Sequence, residues 1–96
     1  MRDRFKEYLI LQGYKTVTPS GKPSTVSDYL KRIDKVCEYE HMTYEVLASN
    51  IDHIVSEYDV GGPKEALGKV SHNSVINALR RLQEFSSDRE KDYYAR

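Results

Sequence analysis

Apolar residues recur along this chain at the three- and four-residue intervals of amphipathic helices, from near the first residue to Phe85. Phe5, Tyr8, Leu9 and Leu11 predict a first helix over about residues 2–12. Gly13 is its expected stop, since glycine enters φ > 0 without a Cβ penalty. Pro19, Gly21 and Pro23 forbid a continuous helix over residues 14–24. The second helix is predicted from Ser24 or Thr25, where Thr25 and Asp28 have capping-box spacing. Val26, Tyr29, Leu30, Ile33, Val36 and Cys37 form its apolar stripe. The opposite side carries Asp28, Lys31, Lys35 and Glu38, with Ser27 and Arg32 on the flanks.

Thr43 is the expected cap of a short third helix through Leu47, and Ser49 or Asn50 of a fourth. The fourth turns Ile51, Ile54, Val55 and Tyr58 inward. The turn Asp59–Pro63 breaks the chain, and residues 63–68 suit one or two helical turns. Ser71 is the expected cap of the last strong helix, with Val75, Ile76, Leu79, Leu82 and Phe85 inward. Asn73, Asn77, Arg80, Arg81 and Glu84 face outward. No alternating pattern of strand length appears, so the expected fold is all-α. The core set is Leu9, Leu30, Ile33, Ile54, Leu79 and Leu82. A single domain is expected over residues 1–86, with residues 87–96 a charged tail, either frayed helix or disordered.

Composition narrows the function. Charged residues make up 31% and apolar residues 39% of 96, which is ordinary for a soluble domain. No apolar run has the length of a membrane span, and the N-terminus lacks a signal-peptide pattern, so a cytoplasmic location is the default expectation. The single Cys37 fits a reducing compartment. Net charge is zero but unevenly spread. Residues 1–36 hold eight Lys/Arg against four Asp/Glu, residues 37–60 none against six, and residues 61–96 seven against five.

Catalytic signatures are missing: no Gly-rich phosphate motif, no His-Glu-x-x-His and no paired-cysteine spacing. Cys37 and His41 are one helical turn apart, yet two ligands do not close a zinc site, and Cys37 lies in the apolar stripe. No metal or cofactor is expected. His53 is placed on a solvated side and His72 at a helix start, and Tyr8, Tyr29 and Tyr58 at core edges with hydroxyls towards water. Nucleic-acid signals are stronger. A helix start after a Gly/Pro loop offers free N–H groups and a positive dipole end, and Lys22, Ser24 and Thr25 add a charge and hydroxyls there. Asn73, Asn77, Arg80 and Arg81 have the chemistry of base readout. The bland alternative is that both polar faces are merely solvated.

The order of an opening amphipathic helix, "KPSTVSDYLKRIDKVCEY", "TYEVLASNIDHIV" and "VSHNSVINALRRLQEF" resembles the N-terminal SAM-like core-binding domain of tyrosine recombinases and phage integrases. The resemblance covers about residues 3–86 and closes on Leu79, Arg80, Leu82 and Phe85. It implies a four- to five-helix bundle that clamps duplex DNA through the helices Thr25–Tyr39 and Ser71–Phe85. It thereby marks Lys22, Ser24, Thr25, Lys31, Lys35, Asn73, Asn77, Arg80 and Arg81 as DNA contacts. The recombinase catalytic groups, an Arg, a His-x-x-Arg and an activated Tyr, have no counterpart in this sequence, so no strand transfer is expected. The zero net charge pulls the other way, because phosphate neutralisation dominates DNA affinity. A protein partner for the acidic segment Glu38 to Asp59 is therefore the second expectation.

Overall fold

The computed structural model describes residues 1–15 and 25–94, with side chains to Ser87. It comprises α1 (Arg2–Leu11), α2 (Thr25–Glu40), α3 (Tyr44–Ser49), α4 (Ile51–Tyr58), α5 (Glu65–Gly68) and α6 (Val70–Tyr94). No strand occurs among the described residues, and the fold is an all-α bundle. No described helix is long and apolar enough to cross a membrane.

α6 is the central element, packed against all five other helices and most extensively against α2 and α4. Leu79, Leu82 and Ala78 are wholly buried there. They meet Phe5 and Leu9 of α1, Val26, Ile33 and Val36 of α2, Leu47 of α3 and Ile54 of α4 in one cluster. Phe85 extends this cluster to Phe5 and Tyr8, with ring centroids 5.7 and 5.4 Å apart. All six residues expected in the core are buried.

The helix ends follow from local chemistry. At the end of α1, Tyr14 N–H donates to Leu9 C=O and Gly13 N–H to Ile10 C=O. With Gly13 at φ 98° this is a Schellman turn, as its glycine predicts. α2 ends the same way without a glycine: Met42 N–H donates to Cys37 C=O, His41 N–H to Glu38 C=O, and His41 takes φ 55°. Thr43 caps α3 by accepting from Val46 N–H at 3.3 Å. Asn50 occupies the cap position of α4, but its Nδ2 turns back to Val46 C=O.

Several expectations need correction. Leu11 is 82% exposed, because two residues on from the buried Leu9 is about 200° round the helix, which turns it away from the core. Tyr58 is fully buried rather than at an edge, with its hydroxyl donating to Glu40 Oε2 at 2.9 Å instead of to water. Ser71 is not a cap: Ser71, His72 and Asn73 all lie in the left-handed region, φ 53°, 57° and 68°, and regular helix resumes only after them. The four-residue α5 begins two positions after Pro63, and six helices stand where four or five were expected from the resemblance. The helix α6 continues along the backbone of the tail to Tyr94.

Candidate nucleic-acid interface

The left-handed turn Ser71–Asn73 sits beside the outer flank of α2. Ser74 Oγ donates to Asp28 Oδ2 at 3.0 Å, and Arg32 Nη2 donates to Ser71 Oγ at 2.8 Å. These two bonds join residues 46 and 39 positions apart and hold the polar flanks of α2 and α6 side by side. Their other flanks diverge. Asp34 of α2 accepts from Arg2 at 3.1 Å and from Tyr44 Oη at 2.7 Å, which ties α2 to α1 and α3. Burial raises the Asp34 pKa, but these donors outweigh it and the net shift is downward.

The expected contacts separate into three groups. Lys22 and Ser24 lie outside the described residues. Thr25, Lys31 and Asn73 are exposed, Asn77 is half-buried, and all four belong to the two elements joined by that seam. Among the described residues Lys31 has no acidic partner within ion-pair distance, whereas Lys35 lies 3.2 Å from Glu38 Oε2.

Arg80 and Arg81 of α6 both hold partners within the molecule and point to opposite flanks. Arg80 Nη2 donates to both carboxylate oxygens of Asp59, at 2.8 and 2.9 Å. Arg81 Nη1 donates to the Tyr14 hydroxyl at 3.0 Å and Nη2 lies 2.8 Å from Glu84 Oε1. Tyr14 in turn packs edge-on against Tyr29 of α2. Arg32, left on a flank by the sequence reading, proves more central than either. Its partner Ser71 is 39 residues away, so no local pattern signals it.

The acidic segment is also committed. Glu40 Oε2 lies 2.6 Å from Lys64 Nζ, Glu57 contacts Lys64 and His53, and Glu45 faces the N-terminal ammonium at 3.6 Å. Asp52 accepts from Gln83 at 2.8 Å, Asp59 from Arg80, and Glu38 pairs with Lys35. The negative block of the sequence thus meets the positive blocks within the molecule. These pairs are mostly exposed, so each contributes little stability; Asp52 is held only by the neutral Gln83 amide, and Glu40 and Glu57 share Lys64.

Other chemistry is thin. An open cleft of about 520 Å³ between the α3–α4 junction and α6 is lined by Asn50, Asp52, His53, Gln83, Ser86 and Ser87. Its carboxylate is held by Gln83 and its imidazole by Glu57. No group of three His, Cys, Asp or Glu side chains suited to a metal lies among the described residues. Cys37 is half-buried, and burial, with Asp34 and Glu45 nearby, pushes its thiol up to about 11, so it stays protonated at neutral pH. Comparison with protein families, curated proteins and solved structures finds no match.

Proposed function

We propose that this chain is a non-catalytic DNA-binding module of the kind it resembles, the core-binding domain of phage and mobile-element tyrosine recombinases. It contacts duplex DNA through the outer face of α2 and the start of α6. The observation that carries this reading is the seam of Arg32–Ser71 and Asp28–Ser74. It brings Asp28 and Arg32 of α2 against Ser71 and Ser74 of α6, and the exposed Thr25, Lys31 and Asn73 and the half-buried Asn77 belong to these same two helices, whose apolar stripes are buried. Lys31 brings a charge that nothing described neutralises, and the asparagines bring base-edge chemistry.

Arg80 and Arg81 serve this reading as ties that set the angle of α6, since either would have to leave its acceptors to reach DNA. The same logic favours DNA over a protein partner at Glu38 to Asp59, whose carboxylates already hold intramolecular partners. The cytoplasm, where DNA and a reduced Cys37 coexist, is the setting that fits. With few free cations the module binds weakly, with Kd of about 1–100 µM at physiological salt. Fluorescence anisotropy of a short labelled duplex at low salt is the test. Saturable, salt-sensitive binding supports the proposal, and no association at any salt removes it.

A further inference from the structure

The geometry points to a phosphate clamp within that face, formed by Arg32 and Ser71. This inference rests on the DNA-binding reading and names the group that grips the backbone.

Arg32 carries five N–H donors in a rigid fork. Among the described residues its only partners are the neutral Ser71 hydroxyl, at 2.8 Å, and Asp28, whose Oδ1 lies 3.3 Å from Nε. That Nε contact has no hydrogen-bond geometry, and the atom is left buried without an acceptor. The side chain as a whole is 27% exposed. The guanidinium is therefore anchored through Nη2 and paired with Asp28 at the buried Nε, while Nη1 has no partner among the described residues, so the Nη edge is the part of the fork left for an oxyanion. Lys31, the next residue, is exposed.

The turn opposite explains how Ser71 comes to be there. Three successive non-glycine residues in the left-handed region are strained, and such strain collects at ligand clamps and switches. The left-handed turn keeps the hydroxyl under the guanidinium and leaves Ser71, His72 and Asn73 exposed.

Asp28 opposes an incoming phosphate. It is half-buried, accepts from Ser74 Oγ and lies nearest to Arg32 Nε. The other charges at this edge are committed, Lys35 to Glu38 and Lys69 to Glu65. Among the described residues Asp28 is the one carboxylate paired with this guanidinium, and removing its charge tightens binding.

The test is the salt dependence of anisotropy with a fluorescein-labelled duplex, for wild type and for Arg32→Gln, Arg32→Lys, Asp28→Asn and Arg80→Gln, with thermal unfolding recorded for each. Arg32→Gln is expected to reduce the log–log salt slope by about 0.9, the share of one phosphate contact. Arg32→Lys keeps the slope but weakens binding several-fold by losing the fork. Asp28→Asn tightens binding several-fold, and Arg80→Gln leaves the slope unchanged. Wild-type binding with an unaltered slope in Arg32→Gln overturns the clamp and leaves the DNA reading standing. Absence of wild-type binding overturns both. Should Arg32→Gln fail to fold, Asp28→Asn decides: tighter binding supports the clamp, and unchanged or weaker binding overturns it.

Discussion

Arg80 and Asp59 form a two-pronged contact in which one guanidinium nitrogen reaches both carboxylate oxygens, at 2.8 and 2.9 Å. It ties the middle of α6 to the end of α4 across 21 residues. The hydrogen bond from Arg80 holds the Asp59 carboxyl below its usual range. This pair shows what the uneven charge along the chain does: the acidic middle is matched with basic residues from both sides. Arg80→Ala is expected to lower the urea midpoint of unfolding while leaving DNA affinity at low salt within about twofold. An affinity loss without a stability loss would return Arg80 to the interface.

The core is the surest part of the account. Leu79 is wholly buried and Leu30 nearly so, on the two helices with the most extensive contact. Truncation removes the transfer free energy and leaves a cavity, so Leu79→Ala or Leu30→Ala should each destabilise by about 2–5 kcal/mol. Urea unfolding followed by circular dichroism checks this, and midpoints unmoved by both changes would contradict the assigned stripe.

His41 occupies a position made for glycine. It is the left-handed residue of the Schellman turn that ends α2, where a Cβ costs about 1–2 kcal/mol. Glycine relieves that cost and adds freedom to the unfolded chain, so His41→Gly should stabilise by roughly 0.5–1 kcal/mol. The melting temperature should rise by about 2–8 °C for a domain of this size. The opposite outcome is expected at Gly62, where a Cβ would run into the backbone carbonyls of Ser56 and Glu57. Gly62→Ala should destabilise by about 1–3 kcal/mol, read by the same melts.

These turns show which features were legible in the sequence. The stripe of α2, the Gly13 stop and the Thr43 cap depend on neighbours within five residues, and each appears as read. Leu11 was misread because it was grouped with the stripe for its apolar character, although it stands about 200° round the helix from Leu9. Ser71 has the chemistry of a cap, yet bonds from Arg32 and Ser74's tie to Asp28 accompany a left-handed turn instead. The engagement of Arg80, Arg81 and Glu40 was invisible for the same reason, since their partners stand 21, 67 and 24 residues away.

Acid stability tests the Glu40 centre. Burial raises the Glu40 pKa, but Lys64 Nζ at 2.6 Å and the Tyr58 hydroxyl outweigh it, and the net shift is downward from 4.5. Asp34 is shifted the same way by Arg2 and Tyr44, against its own burial. A carboxylate with a lowered folded-state pKa contributes stability above its unfolded value and loses it as pH falls through the folded value. Urea midpoints should therefore hold between neutral pH and about pH 5 as far as these two groups are concerned, then fall. In Lys64→Met the Glu40 contribution should be lost at higher pH than in wild type. Superimposable pH profiles would contradict the role given to Lys64.

The central claim is that DNA meets the seam between α2 and the left-handed turn. Amide chemical-shift mapping of the labelled protein, titrated with an unlabelled duplex at low salt, reads this residue by residue. The account predicts perturbations concentrated at Thr25–Arg32 and Ser71–Asn77, diminishing as salt is added, with Tyr44–Asp59 unaffected. Perturbations centred on Tyr44–Asp59, or a spectrum that does not move at any DNA concentration, would contradict it.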